Sequence, residues 1–100
     1  MTNTNSALDV RHNTAAHRFE VAVDGQLARA DYRIEGRVMQ LFHTEVPVAF
    51  EGRGIAALLV REAIEYAREN GLTVLPACSY VRAYMRRHPE AQSVLAAATR

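Results

Sequence analysis

The sequence predicts an α/β domain whose mostly antiparallel mixed sheet is crossed by one central helix. Apolar and polar residues alternate through much of the first half of the chain, which is typical of strands with one buried face. Apolar residues then recur at helical spacing over residues 54–70. A short apolar stretch follows that helix, and a strand in this position is expected to lie parallel to the strand before the helix.

Three strands are predicted before the helix, and tight turns join them. The first begins at Arg18, and the next two cover residues 26–35 and 37–46. Asp24-Gly25 joins the first two strands directly, because both positions tolerate a positive φ angle. Pro47 ends the third strand, since proline has no N–H group for the ladder.

After the helix the sequence predicts one more strand and two short helical segments. Residues 72–77 form the apolar stretch expected to be the parallel strand. A helix capped by Ser79 is expected to end near Arg87. Pro89 is expected to open a last helical stretch that continues to about residue 98.

The N-terminal residues differ in composition from the rest of the chain. Residues 1–14 are polar, rich in Asn and Thr, and without periodicity. We therefore expect a flexible N-terminal tail over these residues and a single folded domain over residues 15–100, since the chain of 100 residues suits one domain.

Charge and cysteine content exclude several classes of protein. The chain has 12 basic and 11 acidic residues and a net charge of +1, whereas general nucleic-acid and membrane-surface binders carry a clear basic excess. One cysteine allows no internal disulfide, and the N-terminus lacks the apolar segment of a signal peptide. We expect a cytoplasmic protein, monomeric or weakly oligomeric, that binds neither nucleic acid nor membranes.

The loop before the predicted helix has the features of an anion site. Gly52 and Gly54 allow a ligand to approach the backbone closely. The first turn of the helix leaves N–H groups without internal partners, and the positive end of the helix dipole lies there. Arg53 adds a positive charge, so the loop suits a pyrophosphate. The alternative is a glycine loop that simply begins a helix.

A nicotinamide dinucleotide is a rival ligand for this loop. Gly52, Gly54 and Ala57 match the dinucleotide fingerprint G-x-G-x-x-G/A. That fingerprint needs a strand that leads directly into the first glycine and an acidic residue about 20 positions later. Here residues 47–51 intervene, and the next strand ends without an acidic residue. The sequence therefore argues against this ligand.

At this loop the sequence resembles the GNAT superfamily of N-acetyltransferases. Their phosphate motif Gln/Arg-x-x-Gly-x-Gly/Ala aligns with residues 51–56. The chain is more similar still to a short stand-alone acetyltransferase-like family, through the segments AHRFE, HTEVP, PAC and YMRRHP that begin at Ala16, His43, Pro76 and Tyr84. The resemblance covers about residues 15–90. It implies a minimal GNAT acetyltransferase fold and transfer of an acetyl group from acetyl-coenzyme A, as co-substrate, to an unknown acceptor, expected to be an amine.

The resemblance also implies positions for the coenzyme. No metal is expected, because the sequence has no Cys/His cluster with the spacing of metal ligands. The pyrophosphate would lie on the backbone of Gly52, Arg53, Gly54, Ile55 and Ala56. The pantetheine arm would be held by main-chain bonds of Val46 and Val48, in a gap between the strands that carry Pro47 and Pro76. Arg87 belongs to a small basic cluster with Arg82, Arg86 and His88 and is a candidate contact of the 3′-phosphate; the alternative is a solvated helix face, which is the commoner explanation of such a cluster.

The chain departs from the family at two points. Glu51 stands where the family has Gln or Arg, and its carboxylate repels a pyrophosphate. Larger members place one or two helices between the first two strands, where this chain has only Asp24-Gly25. We therefore expect an open acceptor side.

Three residues are candidates for catalysis. Cys78 comes just before a predicted helix, whose N-terminus can lower a thiol pKa, so Cys78 is a candidate nucleophile; the alternative is a small buried apolar side chain. His43 and Glu45 lie two apart on one strand face and could act as a general base, or could be polar residues on a solvated face. The alternative function is a non-catalytic coenzyme A-binding or interaction module.

Overall fold

The computed structural model describes residues 9–96, which form one five-stranded sheet with a long helix across one face. The strands lie in the order β1-β2-β3-β4-β5. The first four pair antiparallel, and β5 pairs parallel to β4, so the predicted mixed sheet is confirmed. The elements are β1 (Arg11–Asn13), β2 (Arg18–Val23), β3 (Gln26–Glu35), β4 (Val38–Glu45), α1 (Ile55–Glu69), β5 (Thr73–Pro76) and α2 (Ser79–Arg87).

The core lies between α1 and the sheet face that it covers. The predicted helix over residues 54–70 is confirmed as α1, and its apolar stripe is buried. The opposing sheet residues alternate in and out along each strand, because successive side chains of a strand point to opposite faces. The fully enclosed positions include Val21, Ala30, Met39 and Leu41 from the sheet and Leu59, Val60, Ala63 and Ala67 from α1. Asp24 and Gly25 both have positive φ angles, 50° and 80°, as predicted for the β2–β3 turn.

A bulge in β4 changes which residues face the core. His43 pairs with Asp31, but Leu41 pairs with Tyr32, so Phe42 is one residue too many for the ladder. An additional residue moves every later side chain to the opposite face. Thr44 therefore points to the same face as Leu41 and α1, and its partner across the strands is the fully buried Ala30.

The parallel ladder between β4 and β5 ends beside this bulge. Its last pair is Leu41 with Pro76, and the Ala77 N–H donates to the Leu41 carbonyl at 2.9 Å. β4 continues to Glu45 without a partner from β5. The two strands therefore part directly after Pro76, as predicted for β5, but at Phe42 on β4, several residues before Pro47.

A short strand lies where the sequence predicts a tail. β1 pairs antiparallel with β2, and the ring of His12 stacks on Phe19 with a centroid separation of 4.0 Å. His12 Nε2 lies 2.7 Å from the Tyr32 hydroxyl. The predicted tail over residues 1–14 is therefore wrong for Arg11–Asn13. Pairing with β2, the contacts of the His12 ring and the hydrogen bond from Asn13 to Glu20 hold these polar residues on the sheet, and periodicity does not reveal them. Residues 1–8 of that tail lie outside the described residues.

The C-terminal segment also differs from the prediction. Residues Pro89–Val94 form a 3-10 helix, after which Leu95 bridges to Val74 and the Ala96 N–H donates to the Val74 carbonyl at 2.8 Å. The prediction of a helix to about residue 98 is therefore wrong for Leu95 and Ala96, because these residues pair with the backbone of Val74 at the outer edge of β5. Residues 97–98 lie outside the described residues.

Two local predictions around the helices need correction. Cys78, not Ser79, is the N-cap residue of α2, and Ser79 is the first residue of the helix. The segment before α1, predicted as a loop, contains a 3-10 turn at Val48–Phe50. Within residues 9–96, no helix has the length and apolar character needed to cross a membrane.

The contacts of His12 predict a pH-dependent stability. Burial lowers the pKa of His12 below its ordinary value of about 6.5. Between the lowered pKa and that value the unfolded chain binds more protons than the folded chain, so stability falls as the pH drops through this window and then levels off. As the pH is lowered from about 7 to about 5, we expect the Tm of His12→Phe to fall less than the Tm of the wild type.

Calorimetry at steps of pH measures this difference. His17→Asn is the control, because His17 is an exposed turn residue with a φ of 58° that asparagine tolerates, and it should keep the wild-type profile. Parallel profiles for the wild type and His12→Phe would contradict the assignment.

Candidate active site

The backbone before α1 is shaped by a turn and two glycines. The Phe50 side chain is buried in the core, and the Phe50 N–H donates to the Pro47 carbonyl at 2.8 Å, which closes the 3-10 turn. The chain then passes through Gly52 and Gly54, with φ angles of 87° and 79°. Few side chains tolerate this left-handed region, so the path requires glycine. Apart from the adjoining residues, no heavy atom of residues 9–96 lies within 4 Å of the place that a Cβ atom would take at either glycine, so this part of the structure leaves the space in front of the backbone open.

The N-terminus of α1 presents free backbone donors to this space. The first helical bond is donated by the Leu58 N–H to the Gly54 carbonyl at 3.0 Å. The N–H groups of residues 55–57 precede it and have no carbonyl within the helix to bind. Among the described residues no side chain caps this end, and the first turn holds no acidic residue. The end of α1 therefore keeps its partial positive charge for a ligand.

A cleft of about 410 Å³ opens at this helix end and extends to the parting of β4 and β5. It brings together five of the predicted coenzyme-binding residues. Thr44 and Tyr80 form the wall nearest to Cys78. The lining residues are Thr44, Val46, Phe50, Glu51, Gly52, Gly54, Ile55, Ala56, Ala57 and Tyr80.

Three predicted coenzyme residues do not line this cleft. Val48 is 82% exposed on the outer side of the 3-10 turn, and its carbonyl accepts a bond from the Glu51 N–H at 3.2 Å. The Arg53 guanidinium lies over the Phe50 ring, 5.1 Å from its centroid, which keeps its charge near the loop. Arg87 is an exposed residue at the end of α2.

Glu51 lies in the cleft wall beside the two glycines. It is exposed, so solvent screens its charge in part. A carboxylate at this position opposes the partial positive charge of the helix end and weakens the attraction for an anion. The structure thus places the Glu51 carboxylate in the cleft, where the sequence predicts that it would repel a bound pyrophosphate.

Cys78 lies at the N-cap of α2, beside the parting of the strands. Its Sγ atom is 3.8 Å from the Thr44 hydroxyl oxygen. Burial raises the pKa of the Cys78 thiol, but hydrogen bonds from the Val81 and Tyr80 backbone and from Thr44 outweigh it, so the net pKa is lowered. The lowered pKa favours the thiolate, which is the nucleophilic form.

His43 and Glu45 form a pair on the sheet face that α1 leaves open. His43 Nε2 lies 3.1 Å from Glu45 Oε1, and Arg29 approaches the same oxygen at 3.2 Å. The hydrogen bond from His43 and the charge of Arg29 lower the pKa of Glu45. The bulge at Phe42 turns this pair away from Thr44, so the structure does not bring it into contact with Cys78.

Three cleft residues, Thr44, Phe50 and Ala57, were not predicted from the sequence. Thr44 stands between His43 and Glu45 without any feature that marks it in the sequence, and its contact with the thiol depends on the bulge. Ala57 appeared only in the rejected dinucleotide fingerprint, although it lies on the open face of the first helical turn. Within residues 9–96 no group of three or more His, Cys, Asp or Glu side chains is arranged to hold a metal ion.

A sequence profile described as GCN5-related N-acetyl-transferase matches residues 18–94. The chain belongs to this family. Protein NATD1 of Xenopus tropicalis is 36% identical over 87 residues, which cover 84% of this chain and 80% of that protein. The human NATD1 protein is 36% identical over 83 residues, covering 80% of this chain and 74% of the relative.

A solved structure agrees with this membership. A GCN5-like protein from Staphylococcus aureus, determined by NMR in solution, superposes with a TM-score of 0.75 at 25% identity. The match covers 94% of this chain and 93% of that one. The predicted GNAT fold and the family resemblance are therefore confirmed.

The thiol environment gives a direct prediction. Cys78 is the only cysteine in the chain, so alkylation reports on this thiol alone. We expect the pH midpoint of its alkylation rate to lie below that of a free cysteine measured under the same conditions. Thr44→Val should raise the midpoint, because it removes the hydroxyl and keeps the volume.

Thr44→Ser is the matched variant, since it retains the hydroxyl and should keep the low midpoint. The rate is followed by mass spectrometry with iodoacetamide over a range of pH. A midpoint that Thr44→Val leaves unchanged would show that the hydroxyl does not stabilise the thiolate.

Proposed function

We propose that this protein transfers an acetyl group from acetyl-coenzyme A to an amine acceptor. The observation that carries the proposal is a single cleft that joins an uncapped helix N-terminus to the parting of β4 and β5. A cofactor with a pyrophosphate at its middle and a thioester at one end matches both parts of that cleft. Family membership supports the same reaction.

The helix end supplies the anion contacts in this proposal. The backbone N–H groups of Gly52 to Ala56 would donate to the pyrophosphate oxygens. Ile55 would contribute its backbone alone, because its side chain is 1% exposed and packs in the core. Arg53, held near the loop by the Phe50 ring, would add charge without closing the cleft.

The pantetheine arm would lie where β4 has no partner from β5. Main-chain groups near Val46, in the cleft wall, are the proposed contacts, and Val48 is a weaker candidate because its carbonyl already closes the 3-10 turn. The thioester would then lie close to Thr44 and Cys78, whose side chains contact each other at the parting of β4 and β5.

Cys78 is the proposed nucleophile of a first step. Its thiolate would attack the thioester carbonyl carbon, the bond from that carbon to the coenzyme sulfur would break, and coenzyme A would leave as the thiolate. The acetyl group would then be bonded to Cys78 Sγ. Hydrogen bonds at the α2 N-terminus favour the thiolate that this step requires.

The second step would take place from the open face of the sheet. An amine would attack the acetyl carbon, Cys78 Sγ would leave, and the amine proton would pass to the His43–Glu45 pair. The two-residue β2–β3 turn leaves this face accessible, and the hydrogen bond to Glu45 orients the His43 ring. The Cys78 thiol would thus act from the α1 side of the parting between β4 and β5, and the His43–Glu45 pair would act from the opposite sheet face.

One observation favours a second candidate function, a coenzyme A-binding module without turnover. Glu51 places a carboxylate in the wall of the proposed pyrophosphate site. A weakened anion site suits a binding or interaction role that does not demand tight cofactor binding. Coenzyme binding without acetyl transfer to any amine in a broad panel would favour this module.

Binding is tested with Gly54→Val. We expect a loss of affinity for acetyl-coenzyme A of at least about tenfold, because the side chain would occupy the approach to the backbone donors. Gly36→Val is the matched control, since Gly36 has a φ of 61°, equally empty surroundings and a place in the remote β3–β4 turn. Both variants should lose about 1–2 kcal/mol of stability, and only Gly54→Val should lose binding.

Titration calorimetry on the folded variants measures both affinities. Glu51→Gln extends the test, because removal of the carboxylate should strengthen binding several-fold. Equal affinities for the two glycine variants would remove the loop from the cofactor site.

Catalysis by the thiol is tested by mass spectrometry after incubation with acetyl-coenzyme A. We expect one added acetyl group on the wild type at Cys78 and none on Cys78→Ala, because the variant has no sulfur to accept it. Adding an amine should remove the group from the wild type and produce the acetylated amine. Full turnover by Cys78→Ala would eliminate the covalent step and leave direct attack by the amine.

A further inference from the structure

Two apolar side chains interrupt the charged pattern of the open sheet face, which is the face that α1 does not cover. Cross-strand neighbours on this face carry opposite charges, as Arg18 and Asp31 do, and such pairs stabilise a solvated sheet surface. Phe42 and Leu75 differ from them, because they are large and apolar and are nevertheless 37% and 41% exposed. The open face therefore carries an apolar patch that consists of Phe42 and Leu75.

The apolar patch lies at the parting of β4 and β5. The ladder between these strands ends at Leu41, so Phe42 is the first residue of β4 without a partner in β5. Leu41 and Val74 are fully buried on the α1 side, and alternation therefore places Phe42 and Leu75 on the open face. Gln40 pairs with Leu75 and precedes Phe42 by two residues, so the two apolar side chains are diagonal neighbours beside the end of the ladder.

The proposed base lies next to the patch on the same face. His43 follows Phe42 directly, and the bulge places both side chains on the face away from α1. The His43 Nε2 atom lies 3.1 Å from Glu45 Oε1, and the two side chains are 47% and 55% exposed. Adjacent residues of a strand are about 3.3 Å apart along the strand axis. A ligand whose nitrogen reaches the His43–Glu45 pair can therefore place its carbon atoms on Phe42.

Arg33 adds a positive charge to the patch. Its guanidinium carbon lies 4.4 Å from the centroid of the Phe42 ring, and within residues 9–96 Arg33 forms no ion pair. The guanidinium is attracted to the ring face and helps to fix the ring. It also repels a second positive charge on a ligand that covers the ring. The patch therefore suits an uncharged body and disfavours a ligand with two ammonium groups.

The proposed second step brings the acceptor to this patch. The acceptor nitrogen would enter the parting to attack the acetyl carbon on Cys78, while the rest of the acceptor would stay on the open face. No helix within residues 9–96 covers that face, so the body of the acceptor can contact Phe42 and Leu75. Removal of apolar surface from water favours an apolar body at this position.

We infer that the acceptor is a monoamine with an apolar body, which lies on Phe42 and Leu75 while its nitrogen points to the His43–Glu45 pair. This inference rests on the proposed function and names the substrate class that the function leaves open. Phe42 and Leu75 select the body of the acceptor and take no part in the chemistry. Arg33 discriminates against diamines and polyamines.

The test compares three amines by NMR titration of the ¹⁵N-labelled full chain, without any coenzyme. Hexylamine should bind about tenfold more tightly than ethylamine, because its additional CH₂ groups are partly buried on the patch. It should also bind at least about fivefold more tightly than 1,6-diaminohexane, whose second ammonium group meets Arg33. Equal affinities for hexylamine and ethylamine, or no measurable binding of hexylamine, would overturn the inference.

Substitutions in the patch locate the binding site. Phe42→Ser and Leu75→Ser should each reduce the preference for hexylamine over ethylamine several-fold, with the affinity for ethylamine unchanged. Leu27→Ser is the matched control and should keep the preference, because Leu27 is 39% exposed at the start of β3, on the far side of the His43–Glu45 pair. Arg33→Gln should strengthen the binding of 1,6-diaminohexane relative to hexylamine, since it removes the repelling charge.

Other occupants of the patch would give different results, each of which contradicts the inference. A preference for hexylamine that survives in both Phe42→Ser and Leu75→Ser would place the amine elsewhere. A wild-type dimer that Phe42→Ser dissociates in analytical ultracentrifugation would assign the patch to a second copy of the chain. Tighter binding of butyryl-coenzyme A than of acetyl-coenzyme A, with the difference lost in Phe42→Ser, would assign it to the acyl chain.

Failure of this inference is separable from failure of the proposed function, because amine binding is measured without acetyl-coenzyme A. A chain that binds hexylamine and ethylamine alike and acetylates both equally well retains the transferase and loses the apolar acceptor. A chain that prefers hexylamine through Phe42 and transfers no acetyl group supports the amine site and contradicts the transferase. A chain that neither binds nor acetylates an amine contradicts both.

Discussion

One additional residue in β4 determines the layout of the candidate site. Because Phe42 has no partner in β3, the side chains after it exchange faces, and Thr44 comes to lie on the α1 side next to Cys78. The same irregularity coincides with the last bond between β4 and β5, so the sheet opens where the thiol is held. Without the bulge, His43 and Glu45 would point into the core side and Thr44 would point to solvent.

The main elements follow from local chemistry and were predictable. Asp24-Gly25 needs positive φ angles that these residues tolerate, and the apolar spacing of α1 is regular from Ile55 onward. The glycine loop could be recognised because its backbone requires Gly52 and Gly54. These features depend on residues close together in the chain, which a single sequence displays.

The features that were missed depend on distant partners. A bulge at Phe42 is defined by the register with β3, and nothing in the composition of β4 marks it. His12 packs β1 against side chains from β2, β3 and α1. Leu95 is not helical as predicted, because it forms a β-bridge with Val74.

The outer strands of the sheet have a consequence for self-assembly. β1 has 3 residues and β5 has 4, and the chain itself bonds to Val74 on the free side of β5. These edge strands are short, and some of their backbone groups are already hydrogen-bonded, so another polypeptide has few backbone groups with which to pair. The part of the chain that the structure describes thus limits aggregation by strand addition, although its elements leave one face of the sheet without a covering helix.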